Sequence, residues 1–173
     1  MNSLRLCTSL SFLCVWATWA EAQGPICPLA QDHVVLFKSP DPAKIFCYTP
    51  ALKRLPSGRL VATLHLGGPG IESLPGPKGR RGKEAGQCKV FVSDDHGRTW
   101  THRGDFPLFH ATPFQAGASL YILGHAGDLT IVRSADQGQH WSEPQRLTEG
   151  QTWTGHAHTA ILSRSTRFAT SAG

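Results

Sequence analysis

The sequence predicts an all-β chain, a partial β-propeller of about two blades plus the start of a third, and three observations predict it. Ser93-Asp94-Asp95-His96-Gly97-Arg98-Thr99-Trp100 and Ser134-Ala135-Asp136-Gln137-Gly138-Gln139-His140-Trp141 carry Ser, Asp, Gly and Trp at matching offsets. Each copy follows an apolar, β-favouring run, Val90-Phe91-Val92 in one and Leu129-Thr130-Ile131-Val132 in the other. The copies lie 41 positions apart, and a four-stranded propeller blade takes ~40–45 residues. In each turn the Asp side chain is expected to bond backbone amides two residues on, the Gly to supply a positive φ, and the Trp to pack under the adjoining strand. Ser93, Asp95, Gly97, Thr99 and Trp100, with Ser134, Asp136, Gly138 and Trp141, are therefore read as structural residues, not catalytic ones.

Taken in order, residues 1–22 form an expected signal peptide. Arg5 gives a basic start, Leu6 to Trp19 an apolar stretch, and Ala20-Glu21-Ala22 a cleavage site before Gln23. The apolar stretch is shorter than the ~20 residues of a membrane span. Residues 23–44 are a linker whose run Val34-Val35-Leu36-Phe37 is a candidate for the strand that closes a propeller ring.

Blades are expected over residues 45–162. In the first, Phe46 to Leu52 and Arg59 to Leu66 flank the turn Pro56-Ser57-Gly58 and make a hairpin. Lys89 to Ser93 leads into the first repeat turn, and Thr99 to Arg103 leaves it. The second blade repeats this order with Pro113 to Gln115, Ser119 to Leu123, Leu129 to Arg133 and Trp141 to Leu147. Leu60 and Leu120 hold matching places 60 apart, whereas the repeat turns are 41 apart, so the first blade carries a 19-residue insertion within Gly67 to Gln87. His156 to Leu162 reads as the opening strand of a third blade, and residues 163–173 as an irregular polar tail. Since propellers have ~4–8 blades, the sequence is expected to be a truncated part of a longer propeller. The alternative is a short chain that completes its ring by oligomerisation through open blade edges.

Composition narrows the function classes. The net charge is +5 at pH 7, and removal of residues 1–22 takes one charge of each sign and leaves it unchanged. No face interleaves Lys and Arg with aromatics, which argues against nucleic-acid binding. An acidic glycan is compatible with the charge. No segment after the signal could cross a bilayer, so the mature chain is expected to be secreted or periplasmic. Of five cysteines, Cys7 and Cys14 leave with the signal; Cys27, Cys47 and Cys88 allow one disulfide, in any of three pairings, or three reduced thiols. No dinucleotide, P-loop or C-x-x-C fingerprint is present, so no cofactor is expected. His156 and His158 fall on one side of a strand without a third ligand in view, so no metal site is assigned.

Blade geometry sorts the polar residues. Strands alternate in direction, so the repeat turns lie on one face of the disc. The segments 67–87, 104–112, 124–128 and 148–156 lie on the other, where a ligand would sit. From these come the catalytic candidates Asp105, His110, His125 and Asp128, and the substrate-binding candidates Arg80, Arg81 and Trp153. Tyr48, at the entry of the first innermost strand, joins the latter. Each has a plainer reading. The Gly- and Arg-rich insertion is a solvated flexible loop or a basic lid; Asp128 serves its own turn; Phe106-Pro107-Leu108-Phe109 packs between blades; and Trp153 stacks on sugar or packs in a blade.

The two S-x-D-x-G turns ending in Trp resemble the Asp-box (BNR repeat) of the sialidase (neuraminidase) superfamily, over residues 45–162. The resemblance implies a six-bladed propeller and, as activity, exo-α-sialidase-like glycoside hydrolysis. It implies three arginines that clamp the substrate carboxylate, a Tyr–Glu nucleophile and an Asp acid/base. Tyr48-Thr49-Pro50 falls where that family has its first clamp arginine, so Tyr48 replaces the Arg, and the other clamp and nucleophile residues have no counterpart here. The resemblance therefore implies a glycan-hydrolysing parent and a chain that is inactive alone. The alternative is a non-catalytic propeller that binds glycan or protein, since Asp-box repeats also occur in such propellers.

Overall fold

Two stretches of alternating, β-favouring sequence, each ending at one of the repeat turns, fold into two antiparallel sheets. The computed structural model describes residues 32–150. The expected signal segment, Cys27, Trp153, the strand at His156 to Leu162 and the tail lie outside the described residues. The first sheet contains β1 (Phe46–Arg54), β2 (Leu60–Gly67), β3 (Gly79–Arg81), β4 (Glu84–Ser93) and β5 (Thr101–Phe106). Its order is β1-β2-β4, with β3 and β5 both on the far side of β4 and at opposite ends of it. The second contains β6 (Phe109–Ala116), β7 (Ser119–Ala126), β8 (Asp128–Ser134) and β9 (Gln145–Arg146), in that order. The chain is all-β, and each sheet has the up-and-down order of a propeller blade. Among the described residues, no helix is long and apolar enough to cross a membrane.

The core lies between the sheets. Val61, Cys88, Val90 and Val92 from the first meet Ala111, Leu120, Ile122 and Val132 from the second, with Leu108 from the connector. Of these, Val61, Cys88, Val90, Leu108, Ile122 and Val132 are completely buried, the aliphatic ones each stabilising the fold by ~1.5–3 kcal/mol relative to exposure. Phe106 meets the edge of Trp141 with ring centres 6.1 Å apart. One polar link crosses this layer, the Thr63 hydroxyl donating to the Ala111 carbonyl at 2.7 Å. β4, paired to β2 on one side and to β5 and β3 on the other, is buried through its last eight residues, and Lys89 Nζ lies 5.7 Å from the Phe37 ring centre.

The repeat turns share one Ser–Asp–Gly bonding pattern and differ at the residue before the Trp and at the Trp itself, since Trp100 Nε1 donates to the Gly97 carbonyl at 2.9 Å and Trp141 Nε1 has no partner. The Ser93 hydroxyl accepts from Gly97 N and donates to Asp95, both at 2.8 Å, while Asp95 accepts from Thr99 N (2.8 Å) and Thr99 Oγ1 (2.6 Å). In the second copy Ser134 accepts from Gly138 N at 2.7 Å and donates to Asp136 at 2.8 Å. His140 takes the place of Thr99, its amide and ring Nδ1 reaching Asp136 at 2.9 and 2.6 Å. The Asp therefore bonds the amide four residues on, not two. Thr99's hydroxyl and amide hold Asp95 down at about 2, and the amide and ring of His140 hold Asp136 lower still. Arg59 ties the blades together on this face. Its guanidinium forks onto Asp94 at 2.6 and 2.8 Å and donates to the Gln137 carbonyl at 3.1 Å.

Several expected boundaries shift for physical reasons. Val34 to Phe37 form no strand; Val34 and Val35 are exposed, and Val35 to Phe37 line an apolar groove beside Leu52, Leu64 and Trp100. The fourth strand of the first blade starts at Thr101, because Thr99 belongs to the turn. Residues 104–112, expected as a connection, belong almost entirely to β5 and β6, with only Pro107 and Leu108 between. β9 is two residues long where Trp141 to Leu147 was expected, since Pro144 cannot donate to the ladder. Cys47 and Cys88 are both unpaired thiols, Cys47 exposed and Cys88 buried.

The turn glycines provide a stability test. Gly138 has φ +86°, and a Cβ there would meet Val92, Leu120 and Trp141 at 3.3–3.4 Å. Gly117 has φ +58° with open space around it. Gly138→Ala should cost ~1–3 kcal/mol in urea unfolding, and Gly117→Asn, in a region that Asn tolerates, should change stability by less than ~0.5 kcal/mol. Equal losses at both positions would contradict this account of the repeat turn.

Candidate functional site

At the ends of the strands opposite the repeat turns, β1 and β6 each carry a bulge. Register slips between Tyr48 and Ala51 and between Phe109 and Thr112, and Thr49 (φ +38°) and His110 (φ +48°) take left-handed backbone. The slip re-aims side chains at one end of each innermost strand. Just before it, Tyr48 pairs with His65 and Phe109 with His125, so each blade sets an aromatic ring opposite a buried histidine. The insertion supplies a second wall through a single 3₁₀ turn, Ile71–Ser73, and the β3–β4 hairpin.

Between these walls lies a cavity of about 650 Å³. Tyr48, His65, Phe109 and His110 line it from the sheets, and Glu72, Arg80, Arg81, Lys83 and Glu84 from the insertion. Its floor is aromatic. The His65 ring centre is 4.9 Å from that of Phe109, 5.1 Å from His110 and 5.5 Å from Tyr48. Behind it His125 stacks on Phe109 and on His110, both at 5.5 Å. Glycine makes this approach feasible, since a Cβ at Gly86 would fall 2.6 Å from His65 Nε2 and 2.7 Å from Phe109. Gly86 pairs with Gly67 on one side and Gly79 on the other, a glycine row across β2, β4 and β3.

The rim is charged but internally matched. Arg80 pairs with Glu72 at 2.7 Å. Arg81 pairs with Glu84, its Nε donating at 2.9 Å, and its guanidinium lies 5.3 Å from the Phe109 ring centre. His65 is different. It is 6% exposed, and neither ring nitrogen has a hydrogen-bond partner. Burial, then the charges of His110, Arg81 and His125, against an opposing contribution from Glu84, lower its pKa from 6.5 to about 4. Both nitrogens are closed to solvent, Nε2 lying over Gly86, so the imidazole is a buried part of the cavity wall.

The sequence candidates divide around this cavity. Tyr48, Arg80, Arg81 and His110 line it. His125 lies behind the floor, fully buried. Asp105 is held by Lys89 Nζ (2.8 Å) and His102 Nε2 (2.7 Å), a structural ion cluster. Asp128 accepts from the Thr148 hydroxyl at 3.2 Å and from Gly150 N at 3.3 Å, so it closes the return from β9. Of the four catalytic candidates His110 and His125 are thus stacked on one another, while Asp105 and Asp128 are engaged elsewhere. The insertion is a folded wall and not a bare loop, since Gln87 Nε2 donates to the Pro75 and Pro77 carbonyls at 2.8 and 3.2 Å. Among the described residues no three of His, Cys, Asp and Glu are arranged to hold a metal ion. Sequence reasoning missed His65, although the 60-residue offset linking Leu60 to Leu120 also links His65 to His125.

No protein-family profile matches the chain. The vacuolar protein sorting/targeting protein 10 of Aspergillus clavatus is 35% identical over 74 residues, which are 42% of this chain and 5% of that protein. Among solved structures, Trypanosoma rangeli sialidase is 21% identical with a TM-score of 0.39, covering 52% of this chain and 13% of its own. An α-L-arabinanase of Penicillium chrysogenum, complexed with arabinobiose, is 18% identical with a TM-score of 0.40, covering 56% and 30%. The chain therefore spans a small part of each. Its blade architecture follows from strand order and register, independently of these likenesses.

The buried imidazole makes stability depend on pH. Between about 4 and 6.5 the unfolded chain binds a proton at His65 that the folded chain does not, so stability falls as pH drops through that window and levels off below it. The loss is roughly 3 kcal/mol. Urea unfolding of the full chain at pH 7 and pH 4.5 should show it, and His65→Gln should flatten this part of the profile. An unchanged profile in His65→Gln would show that another group carries the dependence.

Proposed function

We propose that the cavity is a carbohydrate-binding site on two blades of an exported, sialidase-like Asp-box propeller of six blades. The whole protein is read as a glycoside hydrolase, and this chain alone as binding without turnover. The observation that carries the reading is the pairing of an aromatic floor with a rim of matched Arg–Glu pairs, at the strand ends opposite the Asp-box turns. Ring faces pack the apolar side of a sugar, and ion pairs present donors and acceptors together for its hydroxyls. Turnover needs more than this. Glu72 and Glu84 are both engaged by arginines, and neither is free for the general-acid or nucleophile roles of a two-carboxylate glycosidase. With Tyr48 where the resemblance expects a clamp arginine, the site also departs from the pattern for sialoside cleavage.

A second reading, a non-catalytic propeller that binds a protein, is favoured by one observation, the 35% identity over 74 residues to a protein sorting/targeting protein. The readings separate on a glycan array probed with the full chain. Carbohydrate binding that falls at least tenfold in Tyr48→Ala or Arg81→Ala is expected, with no release of fluorophore from sialoside or arabinoside substrates. Retention of no glycan on the array would favour the protein-binding reading, and fluorophore release that vanishes on unfolding would overturn the inactivity. Export is tested by the N-terminus of the mature chain, expected at Gln23; a chain recovered with Met1 intact would refute signal cleavage.

A further inference from the structure

Resting on the reading of this cavity as a carbohydrate site, we propose that it takes a chain of two or more sugar units, one over Tyr48 at the cavity wall and the next over Phe46 just outside it. The first support is where the two rings stand. Phe46 and Tyr48 alternate with Cys47 along β1, so both face the same side of the sheet, and they pair with Gly67 and His65 of β2. Tyr48 lines the cavity, and so do Gly67 and Gly68. A Cβ at Gly67 would fall 3.2 Å from the Tyr48 ring, and one at Gly68 2.8 Å from the Phe46 ring. Two consecutive glycines of the cavity wall thus seat the two rings, and Phe46 continues the surface that Tyr48 begins.

The second support is exposure. Tyr48 is 43% and Phe46 37% exposed, although each carries a large apolar ring. A rigid aromatic face left open to water beside a cavity is suited to stacking on the apolar side of a sugar. The angle between the rings then narrows the class of chain. They meet edge to face, with centres 6.2 Å apart and planes at 80°, so they form a corner and not a continuous shelf. A chain whose sugar planes turn at each linkage, as in an α-linked glucan, lays successive units on both rings. A flat β-linked glucan ribbon keeps its planes aligned and stacks on one ring at a time. The cavity volume of about 650 Å³ falls within the ~300–1,000 Å³ of sites that take drug-sized ligands, which leaves room for the first unit and the linkage to the second.

The experiment is a titration of the full chain, with isotope-labelled phenylalanine, followed by NMR. The single-unit probes are methyl α-D-glucopyranoside, methyl β-D-galactopyranoside and N-acetylneuraminic acid. The chains are maltotriose, a galactan trisaccharide and a sialic acid trisaccharide, which turn at each linkage, and cellotriose, which is flat. At least one turning trisaccharide should bind about tenfold more tightly than its own single unit and than cellotriose, and should shift the Phe46 ring resonances. Phe46→Ala should weaken that trisaccharide about tenfold, and Phe46→Trp should restore it. The wild-type ring shift decides independently of how well either variant folds. Equal affinity for single units and trisaccharides would overturn the chain inference while leaving a carbohydrate site in place. Tightest binding of cellotriose would overturn the turning class, and a trisaccharide gain without a Phe46 shift would overturn the role of Phe46. No binding by any probe at tens of millimolar would remove the carbohydrate reading itself.

Discussion

The register of the two described blades rests on one buried hydroxyl in each. Ser93 and Ser134, 2% and 1% exposed, each bridge a glycine amide and an aspartate oxygen at the point where the third strand of a blade stops. A serine in that place fixes where β4 and β8 end, and hence which of their residues face the opposing sheet. A slip of one residue would turn Val90 and Val132 outward. The same turns carry the Arg59 fork between the blades.

The cavity is a product of repetition with one asymmetry. Both blades place an aromatic residue opposite a histidine beside a bulge: Tyr48 with His65, Phe109 with His125. Both bulges force a residue into left-handed backbone. What the second blade lacks is the insertion, because β7 passes to β8 through Gly127 alone whereas β2 passes to β4 through a 3₁₀ turn and a hairpin. The first blade therefore gains a wall of ion-paired arginines, and its histidine faces a cavity, while His125 sits packed behind the floor. Equivalent positions thus acquire different chemistry from a difference in the connection above them.

Much of this was legible in the sequence. Val90 to Val92 and Leu129 to Val132 announce their strands by composition, and Ser, Asp and Gly at fixed offsets announce the turns. Strand alternation also places Tyr48, Arg80, Arg81 and His110 at the strand ends opposite the repeat turns, where the cavity lies. What was not legible depends on partners distant in sequence. Asp105 reads as a candidate acid until Lys89 and His102 are seen to hold it. Val34 to Phe37 have strand composition, yet pair with no edge, and Val35 to Phe37 line a groove beside Leu52, Leu64 and Trp100. His65 carries no local signal, since its significance comes from Gly86, 21 positions later, leaving room for two rings. Pro144 was visible, but its effect of cutting β9 short depends on the ladder it would have joined.

The row of Gly67, Gly86 and Gly79 across three strands has a mechanical meaning. Side chains on neighbouring strands normally lock a sheet's curvature by pressing against one another across the ladder. Along this row that contact is missing, and groups from elsewhere press onto the bare backbone instead: a Cβ at Gly67 would fall 3.2 Å from the Tyr48 ring, one at Gly86 2.6 Å from His65, and one at Gly79 on the Pro107 carbonyl. The row is thus a seat for the cavity floor, and it clamps the hairpin to the connector between the blades.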